Sequence, residues 1–316
     1  MMMNRSEQSY AIRALKNAAP YIRMYKGKTF VVKAGGGVFA DTESTRVLIE
    51  QIAILHYFGV RVVMVHGGGP QVTELEGALG LKSRIVQGRR VTDQKSIDVT
   101  AMVLNGLINT RILGICRDLN IDAIGISGVD AGLVRAHKRP PVKIEGGEMV
   151  DFGFVGDING VDTTVLKKLL DNGLMPVVSP LSADENGILL NINADTVAAA
   201  IGAELGAEKL ILCTGAPGIL ERVEDPGSLI SYTDLRGLKR LRDEKRIVDG
   251  MLPKAKAIED AIRGGVRRVH VVSYKAPEGI LGEVFTNEGT GTLIVADVNA
   301  IPPDEQQTGG GAAGSA

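Results

Sequence analysis

The chain reads as an α/β fold built on a mostly parallel sheet, and three observations predict it. Short apolar, β-branched runs alternate with stretches of helical period along its 316 residues. Two of these runs, 29–32 and 60–65, end in glycines, Lys33-Ala34-Gly35-Gly36-Gly37 and His66-Gly67-Gly68-Gly69-Pro70, and each glycine stretch leads toward a helix. A hydrophobic content of 44% at this length suits one large α/β domain or two lobes sharing a sheet.

The elements follow in order. Tyr10, Ala11, Ala14, Leu15 and Ala18 recur at helical spacing after a capping Ser6 or Ser9, and Pro20 is expected to close or kink that helix. A strand at 29–33, a helix at 42–58, a strand at 60–65 and a helix at 70–79 make two successive βα units with right-handed crossovers. The polar stretch 81–92 holds Arg84, Arg89 and Arg90 just before a long helix, 93–119. Clustered arginines make either a solvated face or a carboxylate clamp, and both stay open here. A strand at 121–126 is followed by short apolar stretches up to Gly160 that read as hairpins, one of them suited to cover the first glycine loops. A helix at 162–171 and a strand at 174–179 come next.

The stretch from Gly187 to Asp195 carries Asn191, Asn193 and Asp195 in alternation, so an extended chain turns all three to one face. An Asx turn with an N-cap at Asp195 is the simpler use of the same residues, and the two are compatible. After an alanine-rich helix to about residue 205, a strand at 208–213 enters Thr214-Gly215-Ala216-Pro217-Gly218-Ile219, another loop at a carboxyl strand end. Helices at 233–246 and 254–263, a strand at 266–272, a helix at 277–282 and a strand at 292–296 complete the fold. Lys254 stands near a helix start, where the dipole disfavours a cation, which points to an anionic partner or to plain exposure. Residues 301–316 are expected to be disordered.

Composition excludes several functions. A net charge of −1, from 36 basic and 37 acidic residues with no basic block, gives no footprint for nucleic acid. Cys116 and Cys213 are far apart inside apolar runs, so two reduced thiols and a cytoplasmic location are expected. No apolar run approaches a membrane span, so no membrane association is expected. Four histidines without close spacing argue against a metal site. Val129 breaks a G-x-S-x-G elbow at Gly125, and neither glycine loop has P-loop or dinucleotide-binding order.

A strand that ends in glycines before a helix leaves backbone N–H groups open to an anion. Lys33 beside such amides can neutralise charge on a transferring phosphoryl group, although a tight turn with a solvated lysine is the alternative for either loop alone. Two such loops in one half-chain favour a ligand.

Five blocks in order, VVKAGG, VHGGGPQV, GRRVTD, LNINADTVAAA and DGMLPKAKA, resemble the amino acid kinase family from about residue 8 to 297. The resemblance implies an open αβα sandwich with a mostly parallel central sheet. It divides the chain into an N-terminal oligomerisation helix at 1–27, an amino-acid-substrate lobe at 28–180, an ATP-binding lobe at 181–300 and a tail. The implied activity is ATP-dependent phosphorylation of the side-chain carboxylate of N-acetyl-L-glutamate in arginine biosynthesis, with Mg²⁺ bridging the nucleotide phosphates. Alternatives are a kinase for aminoadipate or a carrier-linked amino acid, or a non-catalytic arginine-sensing module.

By that resemblance Lys33 and Lys254 stabilise the transferring phosphoryl group and Asp195 orients them. Gly68, Gly69, Arg90 and Asn191 contact the acyl amino acid, with Arg90 on its α-carboxylate. Gly35, Gly36, Gly215 and Gly218 contact the nucleotide, although many relatives have Thr-Asp-Val where this chain has Thr214-Gly215-Ala216. The leading helix and the stretch from Glu283 to Thr292 are similar to those of arginine-inhibited hexamers, which makes a homo-oligomer, dimer or hexamer, the expectation and Glu283 a candidate effector contact.

Overall fold

A computed structural model describes residues 5–86, 89–144, 147–222, 224–247, 250–286 and 289–300. Eight strands form the central sheet: β1 (Thr29–Ala34), β2 (Arg61–His66), β3 (Ala123–Ser127), β4 (Met175–Ser179), β5 (Lys209–Thr214), β6 (Tyr232–Asp234), β7 (Arg268–Ser273) and β8 (Thr292–Val295). Their order is β6-β8-β7-β5-β1-β2-β4-β3, and only β7 and β8 pair antiparallel. The αβα expectation holds. Strand β1 sits between β2 and β5, with Lys33 level with Val65 on one side and Leu212 on the other.

Being covered on both faces, these strands are apolar at nearly every position. Phe30 and Val32 of β1 enter one core with Leu48, Ile52 and Ile112, while Val31 enters the other with Val197, Ile201 and Ile258. The period-2 alternation of a strand thus feeds two cores from one segment. Helix α1 (Arg5–Tyr25) leads the chain; α2 (Thr42–Tyr57) and α3 (Gly69–Ala78) follow β1 and β2. Past β2 lie α4 (Gln94–Ala101), a π-helical stretch (Met102–Ile108), α5 (Asn109–Asp118) and α6 (Thr164–Asp171). The last half supplies α7 (Ala194–Glu204), α8 (Leu235–Asp243), α9 (Met251–Arg263) and α10 (Gly279–Phe285).

Several expectations change. Helix α1 does not close at Pro20 but runs on to Tyr25. Proline removes only one helical N–H, and burial of Tyr25 against Phe30, ring centroids 5.2 Å apart, anchors the last turn. Of the stripe named for this helix, Ala14 and Leu15 are exposed and Ala18 is half-buried, whereas the side chains of Tyr10 and Ala11 lie outside the described residues. The long helix 93–119 is interrupted by the π-helical stretch. Within its full extent, Gln94–Asp118, an 18-residue stretch reaches mean hydropathy 1.4, by length and composition enough to cross a bilayer, which corrects the expectation of none. Ile97, Val103, Ile108 and Ile112 instead pack into the core. The arginine-bearing stretch folds as a hairpin, Arg84–Val86 with Arg89–Val91. The hairpin region up to Gly160 joins Leu181–Ala183 and Leu189–Asn191 in a four-stranded sheet. The tail 301–316 lies outside the described residues.

Candidate active site

The carboxyl ends of β1 and β2 bring the two glycine loops together. Gln71 Nε2 donates to the Gly36 carbonyl at 2.8 Å, and the Gly67 N–H donates to the Ala34 carbonyl at 2.8 Å. At Gly36 a Cβ would stand 2.7 Å from Pro70 Cδ, so only glycine allows this approach. Gly36, Gly68 and Gly69 line a cleft of 510 Å³ together with Lys33, Asn191 and Asp195.

Lys33 rises from β1 into this cleft and meets Asp195 Oδ1 at 2.8 Å. Lys254 reaches the same carboxylate from α9, 3.0 Å from each oxygen. Residues on α7 and α9 share a core in which Val197, Ala198 and Ile201 accompany Ala255 and Ile258, and this fixes the separation of Asp195 and Lys254. Asp195 sits in the first turn of α7, where the helix dipole favours its charge. Asn193, not Asp195, is the N-cap: its side chain accepts the N–H of Asp195 at 2.9 Å and of Thr196 at 3.2 Å. Lys254 stands in the first turn of α9, so the anionic partner that its position called for is Asp195.

All three charged groups are less than a tenth exposed. Burial pushes the Asp195 carboxyl up, but Lys33 and Lys254 together outweigh that and hold it at about 2. Burial, and then repulsion from Lys33, lower the ordinary value of Lys254, with Asp195 pulling the other way. Cys213 lies beneath the pair, and burial pushes its thiol up to about 12. That thiol is therefore neutral.

Of the three clustered arginines, Arg84 faces solvent in a loose pair with Glu148 at 3.5 Å, while Arg89 and Arg90 line the cleft. Four of the five guanidinium N–H groups of Arg90 are engaged, by Glu76, Ser83, the Gly69 carbonyl at 3.0 Å and Thr73. Among the described residues its Nε–H has no partner. The Arg89 side chain makes no hydrogen bond or ion pair among the described residues, and Arg139 spends its Nε and one Nη on Asp157. Three guanidinium groups on one wall suit a carboxylate.

Asn191 lines the same cleft, with its amide 3.5 Å from Thr92 Oγ1. Gly35 lies beside Lys33 Nζ, 3.8 Å from where its Cβ would be. Gly215 is exposed at the end of β5, whereas Gly218 is buried, and a Cβ there would be 2.6 Å from both Leu229 and Thr292. Gly218 serves packing. Glu283 is remote from the cleft: it is buried in α10, bonded to His270 and to the N–H groups of Thr290 and Gly291. Sequence reasoning missed Arg139, Thr73 and Tyr274. The Tyr274 hydroxyl lies between the loops, 2.8 Å from a Cβ placed on Gly37 and 3.5 Å from one on Gly215. Its place just after β7, at the same sheet edge as the other loops, was the available signal.

A parallel sheet whose carboxyl edge carries two glycine loops and a lysine pair around one aspartate is a phosphoryl-transfer architecture. The chain belongs to the amino acid kinase family, whose model matches residues 28–273. Within that family it is similar to the acetylglutamate kinases of Myxococcus xanthus (46% identical, covering 92% of this chain and 96% of the relative) and Symbiobacterium thermophilum (42%, covering 89% and 96%). Among solved structures it is similar to N-acetylglutamate synthase from Neisseria gonorrhoeae complexed with coenzyme A and N-acetyl-glutamate. That match has a TM-score of 0.79 at 26% identity and covers 90% of this chain but only 63% of the longer synthase chain.

Because the Asp195 carboxyl is held at about 2, below its ordinary value, its ionisation stabilises the fold above about pH 4 and that contribution is lost as pH falls toward 2. Asp195→Asn should lower stability by roughly 3 kcal/mol, since two buried ammonium groups then face each other unpaired. Adding ATP should restore part of the loss. Thermal melts of both proteins with and without nucleotide check this, and an unchanged melting temperature would contradict it.

Proposed function

We propose that this kinase transfers the γ-phosphoryl group of ATP to the side-chain carboxylate of N-acetyl-L-glutamate, giving N-acetylglutamyl 5-phosphate for arginine biosynthesis. The observation that carries this is the Lys33–Asp195–Lys254 cluster opening on a cleft walled by Arg89, Arg90 and Arg139. Relatives named acetylglutamate kinase, matched over nearly their whole length, support the choice of substrate.

The chemistry asks for little besides charge and position. A carboxylate is already ionised at neutral pH, so no general base is needed. Its attack on a phosphate brings like charges together, and the two ammonium groups and the loop amides offset that repulsion as it develops. Asp195 holds both lysines on the reacting side without taking a proton. Both of its oxygens accept from a lysine, and among the described residues no three acidic, histidine or cysteine side chains gather as a metal cage. Mg²⁺, where it accompanies the nucleotide, would be held by the phosphates and water rather than by a cage of side chains. In this reading the substrate's α-carboxylate lies on the arginine wall, the Arg90 Nε–H adding to Arg89. The nucleotide lies toward Gly215 and Tyr274. A cytoplasmic setting fits the two free, buried thiols.

Regulation by arginine and assembly through α1 belong to the same reading. Ile12 and Leu15 on this helix are each 58% exposed, an apolar surface that a second copy would cover.

ADP release should be fast with N-acetylglutamate and at least tenfold slower with glutamate or aminoadipate; preference for aminoadipate would replace the substrate assigned here. Lys33→Ala and Lys254→Ala should each lower kcat by roughly 10²-fold or more, because a charge lost from the transition state costs about 3 kcal/mol. Deleting residues 1–19 should leave an active, smaller oligomer with a weaker arginine response, and light scattering with inhibition curves decides this.

A further inference from the structure

Behind the second glycine loop lies a buried polar pair that the transfer chemistry above does not use. His66, the last residue of β2, is 0% exposed, and Asn109, the first residue of α5, is 5% exposed. The Asn109 Nδ2 group lies 3.0 Å from the Val177 carbonyl and 3.2 Å from His66 Nε2. A carbonyl only accepts, so the amide NH₂ must face Val177, and its second hydrogen goes to Nε2. The imidazole then carries its proton on Nδ1, which lies 3.2 Å from the Gly67 carbonyl. Burial also holds His66 at about 4, so the ring is neutral at neutral pH.

The Gly67 carbonyl belongs to the same peptide unit as the Gly68 N–H. In a trans peptide these two groups point in opposite directions. A carbonyl held against the buried ring therefore turns the Gly68 N–H outward, into the cleft that Gly67, Gly68 and Gly69 line. The neighbouring structure keeps this peptide in place. The π-helical stretch sets Leu104 and Ile108 against Gly68 so closely that a Cβ there would lie 2.6 Å from Leu104 Cδ2. Gly125 leaves the space in β3 that the Asn109 side-chain oxygen fills. A π-helical turn is often kept where it delivers side chains to a site.

We infer that His66, fixed as its Nδ1–H tautomer by Asn109, is a positioning residue that aims the Gly68 N–H at the transferring phosphoryl group. The inference rests on the kinase assignment above. Wild-type turnover tests that assignment alone, and the tautomer measurement described last tests the His66 brace whether or not that turnover is seen.

The substitutions His66→Gln and His66→Asn separate positioning from packing. Glutamine fills the ring's volume better but places its amide near Nε2, whereas asparagine is smaller and keeps an N–H near Nδ1. His66→Gln should lose about 10²-fold in kcat, the usual effect of one misplaced transition-state donor, with KM for both substrates within about threefold of wild type. His66→Asn should retain at least tenfold more kcat than His66→Gln. If glutamine equals or exceeds asparagine, the ring only fills space and the inference fails. Long-range ¹H–¹⁵N correlation of the imidazole nitrogens in the wild-type protein gives a second test that does not depend on variants folding. His66 should show the Nδ1–H tautomer, and an Nε2–H tautomer would overturn the inference.

Discussion

The structure depends on one electrostatic imbalance: two ammonium groups share one carboxylate inside a site less than a tenth exposed. Unit charges about 4 Å apart at an effective dielectric near 20 interact by about 4 kcal/mol, several times the value of a surface ion pair. Asp195 makes the lysine pair tolerable, yet one positive charge remains uncompensated. The surrounding architecture is arranged around that excess. The parallel sheet brings β1, β5 and β7 to a common carboxyl edge, glycines let the two loops approach each other closely, and the α7–α9 contact fixes the distance between Asp195 and Lys254. A phosphoryl group with its negative oxygens completes the charge balance that the protein leaves open.

The arginine wall follows a different electrostatic logic. Arg90 is satisfied in the free cleft by a buried glutamate, two hydroxyls and a carbonyl, so its orientation is settled before any ligand arrives. The Arg89 side chain, without such partners among the described residues, keeps its hydrogen-bonding capacity. One guanidinium thus provides geometry and the other provides attraction.

The succession of strands and helices was legible in the sequence because it rests on local signals, β-branched runs and glycines at strand ends; Lys33, Asp195 and Lys254 stood out by their places in short motifs, and the fold brings the three together. What was not legible depended on tertiary contact. Pro20 reads as a helix stop or a kink, and the stop is ruled out only once Tyr25 is seen to anchor the following turn. The role of Gly218 as a packing residue needs Leu229 and Thr292 beside it. The π-helical stretch has no pattern of its own, since an inserted residue shifts the helical face by an amount that composition does not encode. Arg139 and Tyr274 reach the site from segments 106 and 241 residues after Lys33, a distance over which no spacing rule operates.

The central place of β1 also governs when this protein can begin to exist as a folded object. Its partner on one side, β2, follows within about thirty residues, but its partner on the other, β5, is synthesised only after residue 208. On the ribosome, an apolar strand with an unpaired edge must therefore wait while more than half the chain is made, for some ten seconds or more at roughly 5–20 residues per second. That interval is the period in which the β1 edge is open to pairing with other chains, and it ends only when the segment bearing β5 emerges.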